Sequence, residues 1–154
     1  MTQHEVSMIA GGIAQWGRAL PIHDKLTAVT FEADIMTKLV LSGREEPTYF
    51  RSVYAGVDHV DTDGSTPYGH GAVRLEDPRT NDLLIGQVDW YMENGRDKGT
   101  FTFESGTGAW EGVSGTVAVD LEFCSHTREG ALNAGDPVKG LAFIEGAGQF
   151  TLPA

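Results

Sequence analysis

Two alternating segments separated by a cluster of glycines constrain this chain more than any other feature. Residues 98–120 read KGTFTFESGTGAWEGVSGTVAVD. Apolar residues take every second place over 100–104 and again over 116–120, the period of a pleated strand with one buried face. Between them stand Gly106, Gly108, Gly112 and Gly115, with Trp110 as the large apolar side chain. Glycine tolerates positive φ and close backbone approach. The stretch therefore predicts a β-corner that closes a barrel, with Trp110 plugging one end of the core. A dinucleotide-binding loop is the competing reading of Gly106-Thr107-Gly108. That loop needs G-x-G-x-x-G between a strand and a helix. Here the third glycine falls one place late, at Gly112, and no helical pattern follows.

The rest of the chain repeats the strand signal. Val6, Met8 and Ile9 could begin a strand, with Gly11-Gly12 breaking or bending it, and residues 18–24, which carry Pro21, read as a connection. Residues 25–42 form a long strand bent near 33–35, or two short ones, because β-branched residues alternate with polar ones and Ser42-Gly43 ends the run. Alternation returns over 49–57, and residues 58–69 read as a polar loop. Further strands cover 68–75 and 83–92, separated by a strong turn over 77–82. Asn94-Gly95 suits a tight hairpin of primed geometry. After the corner, a strand extends to Cys124, a long loop covers 127–137, and a last strand runs over 138–152. About eight strands joined mostly by tight turns, with little or no helix, predict an all-β fold. Its form is a closed antiparallel barrel, which leaves no exposed sheet edge.

Length and charge limit the rest. A chain of 154 residues suits one domain over 1–154 and needs no disulfide to fill its core. Lys and Arg total 11 against 22 Asp and Glu, a net charge of −11 with neutral histidines. That surface repels phosphate backbones and anionic membranes, so neither nucleic acid nor membrane is an expected partner. The single cysteine, Cys124, allows no internal disulfide, and no basic-then-apolar leader opens the chain. Both features predict a cytoplasmic protein. Residues 58–64 (Asp58, His59, Asp61, Asp63, Gly64) superficially suggest a calcium loop. With Gly64 in the glycine slot, His59 and His70 fall where acids belong. No metal and no other cofactor is expected.

The corner from Phe103 to Gly115 resembles a family motif, the G-T-G-x-aromatic-x-G-x-x-G turn of the allene-oxide-cyclase-like barrels. That superfamily includes plant dirigent proteins, small bacterial barrel domains and bacterial spirocycle-forming cyclases. Residues 95–101, 148–152 and the order of hairpins over 49–92 fit the same pattern. The resemblance implies a mostly apolar cavity in which a flexible substrate folds and cyclises without a cofactor. It also implies a homo-oligomer, a dimer or trimer. The loop over 127–137 departs from the pattern and reads as an insertion.

Several side chains could carry chemistry. On the strand over 87–92, Val88, Trp90 and Met92 share one face and Gln87, Asp89 and Tyr91 the other. If the polar face lines the cavity, Asp89 and Tyr91 form an acid–base and hydrogen-bonding pair. If it faces water, Val88, Trp90 and Met92 become the cavity wall. Tyr68, His70, Ala72 and Arg74 likewise oppose Gly69, Gly71, Val73 and Leu75. His70 is a proton shuttle if inward and a wet-face residue if outward, while the glycine face would mark a close approach of backbone or ligand. Glu145, set in an apolar strand, is a candidate inward carboxylate. Cys124 beside Glu122 makes a poor thiolate and reads as a small core residue.

The resulting expectation is a cofactor-free cyclase or isomerase acting on a hydrophobic small molecule in the barrel cavity, with natural-product biosynthesis as its setting. Its catalytic candidates are Asp89, Tyr91 and Glu145. Its substrate-binding candidates are Tyr54, Tyr68, His70, Trp90, Met92 and Trp110. The alternatives are a non-catalytic barrel that carries an apolar ligand, or an oligomeric scaffold whose barrel is filled. An inward carboxylate or tyrosine hydroxyl in an apolar cavity separates the first from the second.

Overall fold

A computed structural model describes residues 1–63, 65–125 and 138–154 of the chain. Eight strands among these residues close into one antiparallel barrel in sequence order, β1 to β8, with β8 pairing back onto β1. The strands are β1 (Thr2–His23), β2 (Leu26–Leu41), β3 (Thr48–Asp61), β4 (Tyr68–Glu76), β5 (Leu83–Glu93), β6 (Arg96–Gly106), β7 (Ser114–Ser125) and β8 (Val138–Leu152). The loop expected over 127–137 and the side chain of Cys124 lie outside the described residues.

Period-two burial runs along the strands and decides which side chains fill the middle. In β2, Val29, Phe31, Ala33, Ile35, Thr37, Leu39 and Leu41 are buried, and the residues between them are not. β2 is thus the single long strand that the sequence allows, and not two short ones. The inward Thr37 hydroxyl meets Ser52 Oγ at 2.6 Å, which satisfies two buried polar groups at once.

The N-terminal strand is the main departure from expectation. β1 runs for 22 residues straight through Gly11-Gly12 and past Pro21. Gly12 does not break it because Ile35 of β2 leans into the space a β-carbon would take. Among the described residues the β8 pairing ends at Trp16, and Pro21 stands in the ladder opposite Thr27 of β2. The pairing shifts between Trp16 and Ala19. Such a bulge changes which side chains point inward, and Ala14, Trp16 and then Ala19 are the buried ones.

The turns follow local chemistry. Asn94 and Gly95 both have positive φ, 52° and 73°, as the primed hairpin requires. In the 77–82 turn, Asn81 N–H donates to the Asp77 carbonyl at 2.8 Å, and Asp77 Oδ1 accepts from Arg79 N–H at 2.9 Å. At the corner, Gly108–Trp110 makes a single 3-10 turn, and no dinucleotide-type helix follows. Gly108 and Gly112 take φ of 56° and 74°, where a β-carbon is strained.

Trp110 is 1% exposed and closes one end of the barrel, as its place among the glycines predicts. Its ring lies 5.5 Å from Phe50 and 6.3 Å from Phe150, with the Arg44 guanidinium 5.0 Å from its centre on the outer side. An aromatic chain continues from Phe150 to Phe103, Phe101 and finally Trp90 and Tyr54. This half of the barrel is packed solid. No described helix is long and apolar enough to cross a membrane.

Candidate functional site

The other half is not filled. Ala14, Trp16, Phe31, Ala33, Ile35, Tyr54, Asp58, Thr66, Trp90, Asp97, Leu121, Phe123, Ala142 and Ile144 surround a cavity at the end opposite Trp110. Its volume is about 40 Å³, room for a few waters or one compact guest.

Register explains why the space exists. Across the sheet, Val29, Asp58, Gly69, Trp90 and Gly99 are neighbours in successive strands. A β-carbon on Gly69 would collide with Asp58 Oδ1, and one on Gly99 with the Trp90 ring. Each large inward group therefore lies over a glycine on the adjacent strand. The glycine face of β4 is the place of close approach that the sequence suggests, and the group that approaches is a carboxylate.

Asp58 is the chemically distinctive residue. It is 5% exposed, and its Oδ2 accepts a 2.7 Å hydrogen bond from Trp16 Nε1. A carboxylate stripped of water and given one neutral donor holds its proton tightly. Burial pushes the Asp58 pKa up to about 7, the Trp16 hydrogen bond draws it down in part, and the nearby negative charge of Asp97 raises it further. Tyr54 also lines the cavity. Its hydroxyl is fully buried and, although Thr37 and Ser52 lie close by, makes no hydrogen bond of good geometry. Burial is the main cause that raises the Tyr54 phenol above its ordinary pKa.

Of the expected substrate-binding residues, Trp90 and Tyr54 line this cavity, whereas Trp110 is buried at the opposite end. The remaining candidates face outward. Asp89 and His70 pair with each other at 2.7 Å on the exposed surface, so neither reaches the interior. Tyr91 is exposed on the Asp89 face of β5, and Met92 is exposed where that strand passes the rim. Tyr68 is exposed and stacks on the His59 ring at 4.1 Å. Glu145 alternates with the buried Ala142 and Ile144 on β8 and is therefore exposed. The polar faces of β4 and β5 meet water, and the inward positions go to Val73, Leu75, Val88 and Trp90.

Sequence reasoning passes over Asp58 because an aspartate after Val57 reads as the start of a polar loop. In the barrel β3 continues to Asp61, and Gly69 belongs to β4. Residues 58–61 are thus extended strand and not a calcium-type loop. The signal was present: Phe50, Ser52, Tyr54, Asp58 and Val60 all stand at even spacing on one face. Extending the alternation two places further would have put Asp58 inside.

The geometry thus defines a small closed antiparallel barrel with one aromatic-walled cavity and a buried acid at its side. Comparison with known proteins finds no family model, curated protein or solved structure that matches the chain.

Proposed function

We propose that this barrel is a cofactor-free isomerase or cyclase that moves a proton on a compact, largely apolar small molecule. The observation that carries this reading is Asp58, an ionisable carboxyl buried beside an aromatic-walled cavity, where burial pushes its pKa up to about 7. A group with that pKa gives up and takes back a proton with little driving force either way, which suits general acid–base work near neutrality. Tyr54 offers its free hydroxyl to a developing oxyanion. The walls hold the substrate in one conformation, and this contributes through lost freedom already spent on binding. The resemblance of the corner to the allene-oxide-cyclase-like barrels supports the same class of chemistry. A cytoplasmic location is part of this proposal and rests on the single cysteine.

The test uses a compact ketone with a movable double bond. Cyclohex-3-enone converts to cyclohex-2-enone when a base removes an α-proton and the conjugate acid returns it at the γ-carbon. The wild-type protein is expected to accelerate this change, with a rate that rises as Asp58 ionises through about pH 7. Asp58→Asn keeps an acceptor for Trp16 but holds no exchangeable carboxyl proton, and should lower the rate about a hundredfold or more. Equal rates in both proteins would remove Asp58 from the chemistry. Binding without turnover in the wild type would favour the carrier reading, which the aromatic walls support.

Self-association belongs to the same proposal. Ile9, Ile13, Met36, Leu141 and Phe143 are exposed on β8, β1 and β2, and Gly11 of β1 pairs with both Met36 and Phe143. They form one apolar strip on the outside of the barrel, of the kind that marks an interface. Light scattering should give a dimer or trimer for the wild type. Phe143→Glu, which places a charge in the strip, should shift the mass to that of the monomer.

A further inference from the structure

Successive outward rows on the apolar strip share one pattern. β1 stands in the middle of each row, with β2 on one side and β8 on the other. Ser7 lies between Val40 and Ala147, Ile9 between Lys38 and Glu145, and Gly11 between Met36 and Phe143. In every row the two flanks are unlike: a large side chain and a small one, a cation and an anion, a thioether and an aromatic ring. Val40, Met36, Phe143 and Glu145 are exposed, and Lys38 is half-buried beside the Tyr49 ring. Gly11 has no β-carbon, and Phe143 Cδ2 lies 3.6 Å from where one would stand, so the middle of the face stays low.

A face with unlike flanks is complementary to itself when turned by half a rotation about its middle line. About an axis along β1, the second copy sets its β8 over β2 of the first. Lys38 then meets Glu145 of the second copy, Met36 meets Phe143, Val40 meets Ala147, and Ile9 meets Ile9. Sulfur against an aromatic ring and opposite charges at a rim are both favourable contacts. The competing two-fold runs across β1 through Gly11. It covers the Glu145 carboxylate with Leu141 and sets Lys38 against Asp34, which Arg51 already holds at 2.8 Å. With the axis along β1 it is Asp34, neutralised by Arg51, that faces Leu141. We propose that two copies of this chain associate through β8, β1 and β2 about a two-fold axis along β1, with Lys38 of each paired to Glu145 of the other. This rests on the reading of the apolar strip as an interface, and it fixes how many copies meet and in what orientation.

Charge reversal on the whole chain tests the pairing, with association read by sedimentation at physiological salt. The wild type is expected to be a dimer. Lys38→Glu alone and Glu145→Lys alone should each weaken it about tenfold, because each turns a symmetric pair of attractions into repulsions. An equimolar mixture of the two single variants should regain the wild-type affinity, since every such contact in the mixed dimer again joins opposite charges. The mixture also controls for folding, because a misfolded variant could not restore its counterpart. Net charge alone cannot produce this pattern: Glu145→Lys makes an acidic chain less negative and would strengthen association. The inference is overturned if either single variant associates as tightly as the wild type, if the mixture stays as weak as its components, or if the wild type is a trimer. A wild-type monomer would end the interface reading as well. A dimer that Phe143→Glu dissociates but mixing does not restore would keep that reading and end this arrangement alone.

Discussion

Asp58→Asn should stabilise the protein above pH 7 even as it removes the proposed chemistry. The sign follows from linkage. A carboxyl whose pKa rises from 3.8 in the unfolded chain to about 7 in the fold binds its proton more tightly when folded. Below about pH 4 both states are protonated, and the group does not favour unfolding. As pH rises from there to about 7, the unfolded chain releases the proton first and stability falls. Above that range the loss is complete, about 4 kcal/mol at roughly 1.36 kcal/mol per unit. Asparagine has nearly the same shape, never ionises and still accepts from Trp16. Thermal unfolding of the two proteins should therefore nearly coincide near pH 4 and diverge as pH rises. At about 2–4 °C per kcal/mol for a domain of this size, the variant should melt on the order of 10 °C higher above pH 7. A difference in melting temperature that does not change with pH would show that Asp58 is ionised in the fold as it is in water. A stabilising loss-of-function substitution is the pattern expected of a residue kept for its chemistry.

Trp110→Ala should have the largest effect on stability of any single truncation at the closed end. The indole is buried against Phe50 and Phe150 and covered by Arg44. Removing it leaves a hole in the half of the barrel where the packing is continuous, so the aromatic chain to Phe103 loses its support. Burial of this kind costs about 3–5 kcal/mol when an aromatic is cut to alanine. Urea unfolding should show a lower midpoint with an unchanged slope. Binding at the cavity should persist in conditions where the variant is folded, because the cavity lies at the other end. A loss below about 1 kcal/mol would mean that the corner carries Trp110 without depending on it.

Much of the architecture was legible because strand patterning and turn chemistry are local. The alternation of Phe101 with Phe103 and of Val117 with Val119, and the hairpin at Asn94-Gly95, each depend on residues adjacent in sequence. Trp110 could be assigned to the core because glycines on both sides left nothing else to bury. The misreadings share a cause. Gly11-Gly12, Pro21 and Asp58 each look like a break when judged alone, and each lies in a strand held by residues outside its own segment. Ile35 fills the space beside Gly12, Pro21 stands in the ladder opposite Thr27 of β2, and Trp16 donates to Asp58. The candidate site was half legible for the same reason. Trp90 and Tyr54 are large and apolar enough for the inward face to claim them, whereas Asp89, Tyr91 and Glu145 drew notice by charge or polarity. Charged groups keep their hydration unless something inside replaces it, and for Asp58 the Trp16 N–H is part of that replacement.

The amino-acid sequence by itself determined an all-β chain of about eight strands, reversed at glycine-rich corners and closed at one end by a tryptophan. It could do so because period-two burial and positive-φ turns are imposed within a few residues. Only the tertiary structure decided which carboxylate lies inside and which half of the barrel holds the cavity. Those outcomes depend on register across strands, where Gly69 makes room for Asp58 and Gly99 for Trp90, and a shift of one residue would have turned the same acid out to water.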